Sequence, residues 1–128
     1  ADIVEASNLN RLHGATRTDA DAMRPKVEVA AREIAGLGLG VRAVALRGWI
    51  DSPKARDALK SCDVIFGCTD DHDGRLLLDR FARFYGVPVI DVGLAIEPAP
   101  GGGFNDMSAR VTVLAPEAPC LVCRSVIA

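Results

Sequence analysis

The sequence lacks a dominant charge. Fifteen Lys and Arg stand against 17 Asp and Glu, a formal balance of −2. Such a balance leaves no electrostatic footprint for duplex nucleic acid or an anionic membrane, so neither is an expected partner. No apolar run approaches the roughly 20 residues that cross a bilayer. Residues 1–10 have neither the basic start nor the apolar stretch of a secretory signal. Four cysteines are too few for a disulfide scaffold in 128 residues. No internal repeat is visible, and no low-complexity segment beyond Gly101-Gly-Gly103. What remains is a single domain expected in the cytoplasm, with 49% hydrophobic residues to build a core. The chain opens at Ala1 rather than Met, which predicts a piece of a longer protein.

The order of short β-rich runs and helical stretches predicts an α/β fold. A strand is expected at Ile3-Val4, followed by a polar stretch over 7–24 with no clear period. Pro25 suits a first helical turn, and Val27, Ala30, Ala31 and Ile34 fall at helical spacing. Gly36, Gly38 and Gly40 stop that helix, and residues 41–46 alternate as a strand does. Ser52-Pro53 starts a short helix ending near Lys60. Residues 63–67 are a short apolar run typical of a parallel strand buried on both faces. Leu77, Leu78, Phe81, Ala82 and Tyr85 mark one face of the next helix, which Gly86 stops. With the apolar run 87–92 these make a strand–helix–strand unit, crossing over right-handedly within a parallel sheet. A loop over 98–103 and a last strand over 111–114 complete the chain.

Few motifs carry chemistry. Gly36-Leu-Gly-Leu-Gly40 follows a helix and precedes a strand, the wrong context for a phosphate loop, so it reads as helix termination. Asp70-Asp-His-Asp73 follows the run at 63–67 and opens a helix, where α/β sheets bind their ligands. Carboxylates there suit Mg²⁺, and one of them is equally suited to cap the helix. Arg75, one turn further, is either a surface residue or an anion ligand. Asn8, Arg11 and Lys26, taken singly, read as solvated surface residues. Cys62 and Cys68 flank the apolar run and are expected to be buried, so Cys120 and Cys123 should react with alkylating agents first. Cys120-Leu-Val-Cys123 has the spacing of half a tetrahedral zinc site. Cys62 and Cys68, roughly 20 Å apart along an extended strand at about 3.3 Å per residue, cannot complete it together.

Four stretches occur together and in order: Asp2-Ile-Val-Glu-Ala-Ser-Asn-Leu-Asn-Arg11, Pro25-Lys-Val27, Cys62-Asp-Val-Ile-Phe-Gly-Cys-Thr-Asp-Asp71 with Arg75, and Cys120-Leu-Val-Cys123. In these the chain resembles the ThiF/MoeB/HesA family of enzymes that activate ubiquitin-like proteins. The resemblance covers nearly the whole chain. It implies a Rossmann-like, mostly parallel sheet with helices on both faces and an antiparallel extension near 94–114. It implies ATP and Mg²⁺ as cofactors and adenylation of the C-terminal carboxylate of a ubiquitin-like or sulfur-carrier protein. By position, Asn8, Arg11 and Lys26 match residues on the triphosphate, Arg11 and Asp70 match catalytic residues, and Asp70 also matches the residue near Mg²⁺. Arg75 matches an arginine of the same motif. The zinc site of the family implies Zn²⁺ at Cys120 and Cys123, its other two ligands lying beyond this chain. Members often form homodimers, so a homodimer is a further expectation.

The chain departs from the pattern in places. The Gly-rich loop and the ribose-binding acid that precede these motifs in the family are absent. Leu12 stands where glutamine is common, and Asp71 where asparagine is usual. The chain alone is therefore expected to be a partial adenylation domain over 1–128 that binds ATP poorly. Its zinc half-site is expected to be weak, and the residues from Cys120 onward poorly ordered or held by crystal or dimer contacts. A nicotinamide- or flavin-dependent oxidoreductase and a non-catalytic protein-binding module fit the same element pattern.

Overall fold

Residues 2–127 are described by a computed structural model and divide into two units, one ending at Ala55 and the other beginning at Arg56. In the first unit, the strand expected at Ile3-Val4 is reduced to one antiparallel bridge, Ile3 to Pro25. Val4 N–H donates to the Arg24 carbonyl at 2.8 Å and Lys26 N–H to the Asp2 carbonyl at 3.0 Å. A 3-10 turn at Ala6–Asn8 follows. The stretch without a period contains a short helix, α1 (Arg17–Asp21). Its signal is Thr16-Arg-Thr-Asp19: Asp19 N–H donates to Thr16 Oγ1, and Thr16 N–H returns a bond to the Asp19 carboxylate at 2.9 Å. The helix expected from Pro25 is α2 (Lys26–Gly36), with Pro25 just outside it.

This unit has a small apolar core, in which Val4 and Val29 are fully buried. Its strongest tie is ionic. The buried Asp19 carboxylate accepts from Arg32 at 2.8 and 2.9 Å and from Arg24 Nε at 2.7 Å. These partners, Arg32 first and Thr16 next, hold its carboxyl well below the usual carboxylate range. The strand expected over 41–46 is absent, and Val41 and Val44 are exposed. Alternation marks a chain able to be a strand, but a ladder needs a neighbouring strand, and none pairs with it among the described residues. Helix α3 (Pro53–Lys60) starts as expected, with Ser52 Oγ accepting from Ala55 N–H at 3.3 Å.

The second unit carries β1 (Ile65–Gly67), α4 (His72–Tyr85), β2 (Val89–Pro98) and β3 (Phe104–Leu114), with strand order β1-β2-β3. β1 and β2 pair in parallel, Ile65 opposite Val89, and are joined through α4 as the strand–helix–strand pattern requires. β2 and β3 are antiparallel, from Val89 opposite Leu114 to Pro98 opposite Phe104. The fold is α/β, but the described sheet is mixed rather than mostly parallel. Three paired positions in the parallel ladder stand against ten in the antiparallel one. The extension also starts earlier than expected, at Val89, and its last strand is longer than 111–114. Gly101, Gly102 and Gly103, all at positive φ, turn the hairpin and let both strands run on.

Asp71 caps α4 by accepting from Gly74 N–H, and Gly86 at φ +72° ends it in the left-handed conformation. Leu78, Phe81 and Ala82 are buried with Ile65, Val89 and Leu114. β1 is covered on one side only: Ile65 and Gly67 are buried while Phe66 is 66% exposed. That corrects the expectation of burial on both faces. Residues 120–127 pack within the unit, with Leu121 and Ile127 buried, rather than being left loose or to contacts with another molecule as expected. Arg124 N–H donates to the Cys120 carbonyl and Val126 N–H to the Leu121 carbonyl, closing a turn. Arg83 pins the preceding loop, donating to Asp79 and to the Pro116 carbonyl, each at 3.3 Å.

Asp19 sets an acid limit on the first unit. A folded-state pKa below the unfolded value of about 3.9 gives stability that is full above that value and lost as pH falls below it. Unfolding followed between pH 7 and pH 3 is expected to show wild-type stability falling at the acid end. Asp19→Asn should be less stable at pH 7 and should lose less on acidification; equal losses would contradict the assignment.

Candidate functional site

The polar residues of the second unit gather at the carboxyl end of β1, where the chain passes through Cys68, Thr69 and Asp70 into α4. Asp70 and His72 are exposed there. A cleft of about 200 Å³ is lined by Asp70, His72 and Arg75 on one side and Gly93, Ser108 and Arg110 on the other, with Val126 of the C-terminal turn at its edge. Helix start, sheet floor and terminal turn thus form three walls.

Arg75 is neither a surface residue nor free. Its side chain is 10% exposed, and Nη1 donates to Asp91 Oδ2 at 3.0 Å while Nη2 donates to the Val92 carbonyl at 3.3 Å. Asp91, in β2, is fully buried and accepts from Arg110 Nη2 at 3.2 Å as well. A carboxylate taken out of water needs such partners, and removing one leaves a buried charge at a cost of about 3–5 kcal/mol. Gly93 makes the arrangement sterically possible. A Cβ there would lie 2.8 Å from Arg75 Nη1 and 3.1 Å from Arg110 Nη2, inside contact distance. Arg110 Nε and Thr69 Oγ1 are buried without a hydrogen-bond partner among the described residues, and such an orphaned group carries a penalty of about 1–3 kcal/mol.

Asp91, Gly93 and Arg110 escaped the sequence reading. Asp91 had a legible signal: a lone charge within the apolar run 87–92 must find partners when the run is buried. Gly93 and Arg110 had none, because cross-strand register brings them together.

Asn8, Arg11 and Lys26 lie in the first unit and Asp70 and Arg75 in the second. Asn8 Oδ1 accepts from Glu5 N–H at 3.2 Å, so its side chain stabilises the 3-10 turn. Arg11 Nη1 donates to the Ser7 carbonyl at 2.7 Å and Asn10 Oδ1 at 3.1 Å, and its exposed guanidinium keeps further donors. Lys26 Nζ donates to Asp2 at 3.1 Å. The backbone ties of residues 2–4 to 24–26 set the start of α2 beside the segment leading to Asn8. Asp71, the departure from the family pattern, is the α4 cap.

Cys120 and Cys123 form one thiol pair, their Sγ atoms 3.0 Å apart. Cys123 N–H donates to Cys120 Sγ at 3.2 Å. The Cys123 thiol and N–H hold the Cys120 thiol below its ordinary value, and the proton shared with Cys120 pushes the Cys123 thiol up. Two thiols supply half of a tetrahedral zinc set. Among the described residues no group of three or more His, Cys, Asp or Glu side chains converges, so the other half is not found there. Magnesium asks less: one or two carboxylates suffice when water and phosphate oxygens complete its shell. Asp70 fits that role.

Cys62 and Cys68 are exposed, against the expectation of burial. β1 is only three residues long, so both lie outside it, Cys62 in the turn after α3, where its N–H donates to the Leu59 carbonyl.

A helix start and a mixed sheet meeting at a polar cleft define an α/β domain, and comparison with known proteins gives its family. The ThiF family model matches residues 1–127, and the chain belongs to that family. It is 29% identical over 122 residues to the SAMP-activating enzyme E1 of Haloferax volcanii, an alignment covering 95% of this chain and 41% of that protein. The chain thus spans about two-fifths of the length of that relative. Among the described residues no helix is long and apolar enough to cross a membrane.

Exposure orders the thiols differently from the sequence expectation. Timed alkylation of the native chain is expected to modify Cys62 and Cys68 at rates within about tenfold of Cys123, as similarly exposed thiols do. Protection of Cys62 beyond that would place it in a core.

Proposed function

We propose that this chain is the partial adenylation domain, residues 1–128, of an ATP-dependent enzyme that activates the C-terminal carboxylate of a ubiquitin-like or sulfur-carrier protein. The observation that carries the proposal is the ThiF family match along the chain. The name of the Haloferax volcanii relative, a SAMP-activating enzyme E1, supports it. In this reaction a carboxylate oxygen attacks the α-phosphorus of ATP, the bond to the bridging oxygen breaks, and pyrophosphate leaves with the electron pair. Negative charge grows on the phosphate oxygens, and the site must supply donors and cations already in place.

Arg11 and Lys26 are suited to the triphosphate, Arg11 through its free donors and Lys26 as a compact charge. Asn8 holds the turn from which Arg11 projects, and its amide nitrogen is available to the nucleotide. Asp70 is the residue that would hold Mg²⁺, which supplies a Lewis acid for the phosphate oxygens. Arg75, committed to Asp91, positions the cleft beside Asp70 rather than touching the triphosphate. Cys120 and Cys123 would hold Zn²⁺ only with ligands from outside the described residues. Two reduced thiols suit a cytoplasmic setting. A homodimer remains part of the proposal through the family alone.

The test is ATP–pyrophosphate exchange by the whole protein with its candidate carrier. Exchange is expected only with ATP, Mg²⁺ and a carrier whose C-terminal carboxylate is free. Asp70→Asn should lower it about 10²–10³-fold, the range for removing one preorganised electrostatic group. Exchange that survives Asp70→Asn removes Asp70 from the mechanism. Absence of exchange together with saturable binding of NAD or FAD overturns the adenylation reading.

A further inference from the structure

We propose that Cys120 and Cys123 form a reversible thiol–disulfide exchange site, a dithiol that a low-molecular-weight disulfide closes and a small thiol reopens. The inference goes beyond adenylation and does not depend on it, since exchange needs neither nucleotide nor carrier.

Geometry is the first observation. The two Sγ atoms are 3.0 Å apart, one thiol hydrogen-bonded to the other sulfur. A disulfide of about 2.05 Å asks them to close by only about 1 Å. Cys123 N–H also donates to Cys120 Sγ at 3.2 Å, which fixes the position of that sulfur. Donor number is the second observation. A tetrahedral zinc site needs four ligands, and among the described residues no third His, Cys, Asp or Glu converges on the pair. A disulfide needs two sulfurs, and both are in place. Access is the third: Cys123 is exposed and Cys120 half-buried, so a small external disulfide reaches the pair.

The turn that carries the sulfurs is held without a bond between them. Arg124 N–H donates to the Cys120 carbonyl at 3.0 Å, and Val126 N–H to the Leu121 carbonyl at 2.9 Å. Leu121 and Ile127 anchor it by burial. Closing so short a loop removes little entropy from the unfolded chain, so the bond has small value as a staple. A pair that is preorganised yet gains little from closure exchanges in both directions. Transient disulfides of this kind suit a reducing compartment.

The chemistry runs in two steps. One protein thiolate attacks a sulfur of the external disulfide, forms a mixed disulfide and releases the other half as a thiolate, which takes up a proton. The second protein thiolate attacks the protein sulfur of that mixed disulfide and expels the remaining half. The pair gives up two electrons and two protons, and the external disulfide gains them as two thiols.

The experiment measures zinc in the whole chain as purified, equilibrates it with varied ratios of reduced and oxidised glutathione, quenches with acid, alkylates and maps each cysteine by mass spectrometry. Cys62 and Cys68, exposed and outside β1, serve as controls. The expected result is a Cys120–Cys123 link that reopens as reduced glutathione is raised, with glutathione retained at neither sulfur. Opening it should take at least about tenfold more reduced glutathione than clearing the mixed disulfides of Cys62 and Cys68, because its second step is intramolecular. Cys120→Ser and Cys123→Ser should each keep glutathione on the remaining thiol of the pair. A wild-type pair that carries glutathione as those variants do, or stays reduced while Cys62 and Cys68 are modified, overturns the proposal. A link that excess reduced glutathione does not open is a staple and overturns it as well. So does a chain that purifies with about one zinc and whose pair reacts only after chelation. Reversible closure in a protein without pyrophosphate exchange leaves the thiol site standing and counts against the adenylation reading alone.

Discussion

The buried carboxylate of Asp91 organises the second unit. It sits in the middle strand of the sheet, fully desolvated, and its two arginine partners come from different elements: Arg75 from the first turn of α4 and Arg110 from β3. A buried anion with two cationic donors fixes the distance of α4 from the sheet more sharply than the apolar contacts of Leu78 and Phe81 do, because direction as well as separation is specified. The Asp70 segment, which opens α4, is placed by that constraint. Gly93 is required by it, since any side chain there would enter the space the guanidiniums occupy.

The same constraint links fold to chemistry. Arg75, paired with Asp91, lines the cleft beside an exposed Asp70. The C-terminal turn supplies Val126 to the cleft and is held by the burial of Leu121 and Ile127. The thiol pair therefore projects from a turn packed against the domain. In the first unit Asp19, gripped by Arg24 and Arg32, performs the corresponding task where the apolar core is small.

Much of this was legible in the chain. The strand–helix–strand unit, the Ser52 cap, a carboxylate cap on α4 from the cluster at 70–73 and the Gly86 stop follow from local rules, and the structure has each of them, Asp71 being the α4 cap. The family was legible from four motifs in order. What local pattern could not supply was pairing. Residues 41–46 alternate as a strand does, yet no described strand pairs with them. Cys62 and Cys68 border an apolar run whose ladder is three residues long, so they fall outside it. Arg110 meets Asp91 only through the antiparallel register, a non-local fact that no motif encodes.

Unfolding free energies of wild type, Arg75→Leu, Asp91→Asn and the double variant test the central constraint most directly. The two side chains are 10% and 2% exposed, so their coupling is little screened by water. The account predicts an interaction energy of about 1.5–3 kcal/mol, in the upper part of the range for residues that share a buried network. A coupling below about 0.5 kcal/mol, the scatter expected of independent sites, would contradict it.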